Sequence, residues 1–325
     1  MKVEKLPSGS YRVRKQINGQ KITKVFDHKP SQKEITQALA DSIDDVAPRT
    51  SFYGCAQGYI KTRSNILSPS TIRGYYSLLE SVIPPYFGNM RISDIEQIDI
   101  QSLINDYAID HKPKTVYNLH GFISAVFKLY RPGMVLHTAL PQKKPYSPYV
   151  PTSDEVKQII DAAAGTRYHI PFQLGVLGMR RGEICALTLD DIDGNIVSIN
   201  KDYVAGPGGV WVVKPLPKTE AGMRSIYIPD ALRDEIIEAG VIFDGYPNRL
   251  LTKLENLQNR LNIQHFRFHD LRHFYASYAH SMGMSDADIM SSGGWKSDYV
   301  MKSVYRHSMK DSLEQNQSKV ANSLL

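Results

Sequence analysis

Four prolines fall within eleven residues, at Pro141, Pro145, Pro148 and Pro151, and no other stretch of this 325-residue chain limits its fold so strongly. Each proline removes a backbone donor and clashes with a preceding helical turn, so 141–151 is expected to be an extended linker with separate cores on either side. At roughly 100–200 residues per domain, the length allows two or three domains. The composition, 42% hydrophobic and 22% charged, is that of an ordinary globular protein. The longest apolar stretch, 170–179, is broken by Pro171 and Gln173 and is far short of the ~18 residues of a membrane span. No apolar segment follows Met1-Lys2-Val3-Glu4-Lys5, so no secretory signal is expected there. Cys55 and Cys185 lie far apart among apolar neighbours. They read as two buried thiols in a reducing compartment, not as a disulfide or a zinc site.

The net charge of +6 is unevenly placed. Residues 1–30 hold eight Lys/Arg against two acids, whereas 31–50 hold two against four. A basic head on a nearly neutral body suggests an anionic partner, nucleic acid first. Within that head, 11–17 and 20–26 alternate in polarity around Asn18-Gly19, the strongest short signal for a β-hairpin. Tyr11, Val13 and Ile17 fall on one face, and Arg12, Arg14 and Gln16 on the other. A short helix over 31–43 is expected to cover the apolar face. The exposed basic ribbon, with Arg12, Arg14, Lys15, Lys21 and Lys24, is the candidate DNA contact; a ribbon of this width fits a major groove. An ordinary half-buried sheet with a solvated basic face is the alternative.

Residues 51 to about 133 read as all-helical. Ser68-Pro69 supplies an N-cap and a first-turn proline, and Ile72, Tyr75, Tyr76, Leu79 and Ile83 follow at helical spacing. A further helix spans 115–129, and the aromatic residues of this segment read as core. After the linker, Thr152-Ser153-Asp154-Glu155 is a capping box. Strands are expected over 194–204, 210–213 and 224–228, with a turn at 206–209, and helices from about 231 onward. The whole is a multidomain α+β chain. It comprises a small N-terminal β-sheet plus helix module (1–50), an all-helical domain (51–140), and a mainly helical domain with a small antiparallel sheet (152–325).

Four features of the last domain carry chemistry. They are Gly178-Met179-Arg180-Arg181-Gly182-Glu183, with Leu187 and Asp191-Ile192-Asp193 after it; Pro217-Lys218-Thr219, with Arg224 on the next strand; His269-Asp270-Leu271-Arg272; and Gly293-Gly294-Trp295, with Tyr305 ten residues beyond the tryptophan. Taken singly, each is ordinary. In this order they resemble the tyrosine recombinase family, and within it the phage-type integrases. The resemblance rests on Arg180 with Glu183, Lys218, His269 with Arg272, Trp295 and Tyr305, and runs from about residue 152 to the end. Met179 stands where leucine is usual, and Trp295 where many members have histidine, so position 295 packs and donates one hydrogen bond and is not an acid or base. By pattern alone, 1–50 and 51–140 resemble the family's arm-type and core-binding DNA-binding domains.

The resemblance implies a site-specific DNA recombinase that cuts and rejoins duplex attachment sites, as a homotetramer, to integrate or excise a phage or mobile element. Arg180 and Arg272 would hold the nonbridging phosphate oxygens, for which planar, permanently charged forks are well suited. Tyr305 would be the nucleophile, forming a 3′-phosphotyrosyl link that conserves the phosphodiester energy without ATP. Lys218 would protonate the departing 5′-oxygen. His269 would assist proton transfer at the tyrosine, and Glu183 would orient its neighbours. No acidic cluster resembles a metal site and no phosphate-cradling glycine loop is present, so neither metal nor cofactor is expected. A bacterial host's cytoplasm is the implied location, with no membrane. The residues leave open whether an excisionase or a DNA-bending host protein takes part. Two rivals remain: a cellular resolvase of the same chemistry, whose relatives generally lack an arm domain, and a non-catalytic DNA-binding regulator.

Overall fold

The computed structural model describes residues 3–17, 20–35, 38, 50–143, 149–216, 223–295, 297, 302 and 322, with the side chains of 15–17 and 20–22 excepted. The turn at 18–19, most of 36–49, the middle of the linker, Lys218, Tyr305 and most of the C-terminal tail lie outside these residues. The chain divides into two compact units, Met1–Lys144 and Pro145–Leu325.

The first unit begins with an antiparallel sheet, β1 (Val3–Lys5), β2 (Tyr11–Ile17) and β3 (Gln20–Phe26), in the order β1-β2-β3. The β2–β3 register runs from Tyr11 opposite Phe26 to Ile17 opposite Gln20, as a two-residue Asn-Gly connection requires. Val13 is fully buried. Residues 32–35 are helical, and the remainder of the helix expected over 31–43 lies almost wholly outside the described residues.

Five helices follow: α1 (Phe52–Thr62), α2 (Pro69–Ser81), α3 (Pro85–Asn89), α4 (Gln97–Asp110) and α5 (Pro113–Tyr130). Their starts are set locally. Ser51 Oγ accepts from the Gly54 amide, and Ser68 Oγ from the Thr71 amide ahead of Pro69. Their apolar faces meet in one core containing Phe52, Tyr59, Phe87, Phe122 and Phe127. Each fully buried phenylalanine contributes about 1.5–3 kcal/mol of transfer free energy.

The second unit starts with the capping box: Thr152 Oγ1 accepts from the Glu155 amide, and Glu155 accepts from the Thr152 amide. Helices α6 (Ser153–Ala163), α7 (His169–Val176) and α8 (Arg181–Ala186) come first. Strands β4 (Ile192–Asp193), β5 (Ile196–Ile199), β6 (Lys201–Ala205), β7 (Trp211–Pro215) and β8 (Arg224–Tyr227) follow, then α9 (Asp230–Ala239), α10 (Pro247–Leu261), α11 (Phe268–Ser281) and α12 (Asp286–Gly293). The single strand expected over 194–204 is two. It breaks at Asn200 because β5 pairs with β4 and β8, whereas β6 turns away to pair with β7 alone. Asn200 marks the divergence, its amide nitrogen donating to Asp191 Oδ1 and its carbonyl accepting from the Leu216 amide.

Both cysteines are free thiols. Cys55 is buried, and burial pushes its pKa up to about 11. Cys185 departs from the expectation of full burial: it is half-buried at the edge of the core, toward Asp202 of β6, with its pKa pushed up to about 12 chiefly by burial.

Candidate active site

The site is assembled from the start of α8, the head of β8, the first turns of α11 and the end of α12. Gly178 sits at φ 91°, a conformation that favours glycine, and a Cβ there would lie 2.9 Å from the Tyr275 ring. The turn buries Met179 and brings Arg180 to the N-cap of α8. The Arg180 amide donates to Glu183 Oε2 at 2.8 Å, its Nη1 to Glu183 Oε1 at 2.6 Å, and its Nη2 to the Gly294 carbonyl at 3.0 Å. Gly182, between them, admits the close approach of β6, since a Cβ would overlap the Asp202 carboxylate.

Glu183 is 1% exposed and takes a second cation. Arg224 donates through Nη1 to Oε1 at 3.0 Å and through Nη2 to Oε2 at 2.7 Å, and through Nε to the Ser292 carbonyl at 2.7 Å. Burial by itself would raise the Glu183 carboxyl, but Arg224 and then Arg180 outweigh it and hold the pKa below the ordinary value. Asp202 moves the other way, raised by burial and by Glu183.

On α11, His269, Arg272 and His273 share one face. Asp270 closes the capping box at the helix start, accepting from the Arg267 amide at 2.7 Å. Arg272 is 1% exposed, donates through Nη1 to the Gly178 carbonyl at 2.7 Å, and lies with its Cζ 3.7 Å from the centroid of the Trp295 ring. Its Nη2 is buried without a partner among the described residues. Burial, then the charges of Arg180 and Arg224, pushes its pKa down to about 8.

His269 is pushed down to about 4 by desolvation, then by His273, Arg272 and Arg180, so its imidazole is neutral at pH 7. Its ring meets that of His273 edge-on, with centroids 4.9 Å apart. His273 is buried; desolvation lowers its pKa, and its Nδ1 has no partner among the described residues. Trp295 is buried, fixed by its amide on the Met290 carbonyl after Gly294, which caps α12 at φ 67°. A Cβ on Gly293 would overlap the tryptophan ring, which accounts for the paired glycines.

Arg180, Glu183, His269, Arg272 and Trp295 are therefore gathered into one cluster. Lys218 and Tyr305 lie outside the described residues; Lys302, three before the tyrosine, pairs with Asp286 at 3.2 Å. In the N-terminal sheet the register divides the basic candidates between faces. Arg12 and Arg14 share one, while Lys24 stands opposite Val13 on the other; the side chains of Lys15 and Lys21 lie outside the described residues. Arg12 is paired to Glu4 at 2.9 Å, and Arg14 is exposed. The residue that sequence reasoning left without a role is Arg224. Its signal was its parity, for it alternates in register with the buried Ile226 and Ile228.

Two arginines drawn into one cluster, a neutral histidine and a packed tryptophan define a phosphodiester-handling catalytic domain of the tyrosine-recombinase kind. The phage integrase family matches residues 150–312, half of the chain, and the N-terminal SAM-like domain of phage integrases matches residues 52–108. The chain belongs to the phage integrase family and is a site-specific DNA recombinase. It is 24% identical to a XerC-like tyrosine recombinase of Caldanaerobacter subterraneus subsp. tengcongensis, over 67% of this chain and 68% of that one. Its fold is similar to the Tn1549 transposon integrase solved with transposon right end DNA, with a TM-score of 0.67 at 15% identity, covering 84% of this chain and 100% of that one. It is also similar to lambda integrase solved as a tetramer bound to a Holliday junction, with a TM-score of 0.57 at 16% identity, covering 93% and 94%.

Proposed function

We propose that the chain integrates and excises a phage or mobile element by way of a 3′-phosphotyrosyl intermediate. The observation that carries this reading is Arg272, a buried cation whose Nη2 has no partner among the described residues while Nη1 is anchored on Gly178. Burying an unpaired donor and charge is costly unless a ligand completes it, and a phosphate oxygen is the complementary group. Arg180, 38% exposed, offers the second fork.

In the proposed reaction Tyr305 attacks the scissile phosphorus, and the bond to the 5′-oxygen breaks. The tyrosine proton passes toward neutral His269, and Lys218 supplies the proton that the 5′-oxygen takes. Arg180 and Arg272 carry the charge gathering on the nonbridging oxygens. Trp295 packs under Arg272 and keeps it in place, with its indole N–H as a donor. Attack by another strand's 5′-hydroxyl reverses the steps and exchanges strands. Residues 1–50 serve as an arm-type DNA-binding domain, 51–140 as a core-binding domain and 152–325 as the catalytic domain. Four copies act together on DNA, a reading supported by the lambda integrase tetramer bound to a Holliday junction, and the setting is the cytoplasm of a bacterial host. Among the described residues no helix is long and apolar enough to cross a membrane.

The deciding experiment uses nicked duplexes selected by covalent capture from a pool with a randomised core. The wild-type chain should become covalently joined to DNA, and Tyr305→Phe should bind the same duplex without joining. Joining that survives in Tyr305→Phe overturns the assignment and directs attention to Tyr299.

A further inference from the structure

Arg224 lies at the centre of the site yet is shut off from any substrate. Its side chain is 2% exposed, and all three guanidinium nitrogens are committed, two to Glu183 and one to the Ser292 carbonyl. A buried ion pair is weak grounds for stability, because apolar residues of similar volume commonly do as well. Three cations, Arg180, Arg224 and Arg272, surround the single carboxylate of Glu183 and influence one another electrostatically. Counting these four groups alone, two positive charges are left over for the phosphate, with the Asp202 carboxylate, raised in pKa by burial and by Glu183, beside them.

We infer that Arg224 is a positioning residue for the strand-cleavage reaction, on the reading that the site is a recombinase's. It fills the Glu183 carboxylate so that Arg180 keeps a free edge for the phosphate. It also fastens the turn that bears Gly294 and Trp295. Glu183 receives the Arg224 fork on both oxygens, which leaves Arg180 a single side-chain contact, Nη1 on Oε1. The other Arg180 arm is held by Gly294, two residues beyond the carbonyl that Arg224 Nε grips. Without the Arg224 fork, Arg180 would be the only ion-pair partner left to the buried carboxylate among the described residues, and Glu183 would draw it into a bidentate pair. The site would then lose one unit of charge and also withdraw a second from the phosphate.

This arrangement has a signature that a merely structural arginine lacks: neutralising Glu183 should relieve the loss of Arg224. Single-turnover joining to a captured duplex is measured at saturating protein, with DNA affinity measured alongside. Arg224→Gln should join about 100-fold more slowly, the order of loss for one donor that acts on developing charge. Its affinity should stay within about threefold of wild type, because affinity rests on many phosphate contacts. Glu183→Gln combined with Arg224→Gln should join at least about tenfold faster than Arg224→Gln alone, since that difference is the freed Arg180 fork. Arg224→Gln within threefold of wild type, or a double variant no faster than the single, overturns the inference. Should Arg224→Gln fail to fold, Arg224→Lys takes its place: one ammonium cannot fill both carboxylate oxygens and the Ser292 carbonyl. Its slower joining should again be relieved by Glu183→Gln, and wild-type speed in Arg224→Lys also overturns the inference. Joining by the wild type, and its absence in Tyr305→Phe, test the recombinase reading separately.

Discussion

Replacing Arg272 by lysine keeps one positive charge and removes the fork, which isolates what the geometry contributes. In the wild type, Nη1 is occupied by the Gly178 carbonyl and Nη2 is buried without a partner among the described residues, so the phosphate has one arm of this guanidinium to itself. A lysine ammonium is a point donor: satisfying Gly178 leaves it poorly aimed at the phosphate. The loss of one donor that acts on transition-state charge costs about 10²–10³ in rate, or roughly 2.7–4 kcal/mol. The planar stack on Trp295, with Cζ at 3.7 Å from the ring centroid, disappears as well. Such stacking is worth about 0.5–2 kcal/mol, so the tryptophan also loses part of its register. Binding should change far less, because duplex affinity is the sum of many phosphate contacts. Single-turnover joining to a captured nicked duplex, set beside equilibrium binding at one salt concentration, separates the two. Slowing by less than tenfold, or a drop in affinity as large as the drop in rate, would refute the fork argument.

Lys218→Ala should slow joining of ordinary DNA by about 10²–10⁴, the usual worth of positioned acid catalysis, and sulfur in place of the bridging 5′-oxygen should restore most of that rate because a thiolate leaves unprotonated. Failure of the sulfur substrate to rescue would make the lysine a phosphate ligand only and turn attention to Lys214. Removing residues 1–50 should flatten the log–log salt dependence of binding to full attachment DNA by about one unit for each phosphate that the truncated protein no longer neutralises. An unchanged slope in the truncated protein would count against the arm-domain reading. His269 and His273 both bind a proton less readily when folded, His269 with its pKa near 4, so the unfolded chain takes up more protons as the pH falls from about 6.5. Thermal stability should therefore be full above about pH 6.5 and drop toward pH 4, and His269→Asn should show a shallower drop. Parallel melting curves for the two proteins would contradict the shifted imidazole.

Much of this protein was legible because the relevant physics is local. A two-residue Asn-Gly loop dictates the pairing of 11–17 with 20–26. The N-cap side chains of Ser68 and Thr152, each one position before its helix, set those boundaries by accepting from the amide three residues on, because a cap satisfies amides within one turn. His269 and Arg272, three positions apart on one helix, fall on the same face by an equally local rule. The contacts that make a site of these residues cross long stretches of chain. Arg224 meets Glu183 across 41 positions, Arg272 meets the Gly178 carbonyl across 94, and Arg180 meets Gly294 across 114. The parting of β5 from β6 at Asn200 belongs with them, since which strand pairs with which is decided by partners elsewhere in the chain. Spacing and periodicity record what a residue does to its own turn or strand. The third partner of a buried carboxylate, and the unpartnered arm of a buried guanidinium, come into being only when distant segments are packed together and water is driven from between them.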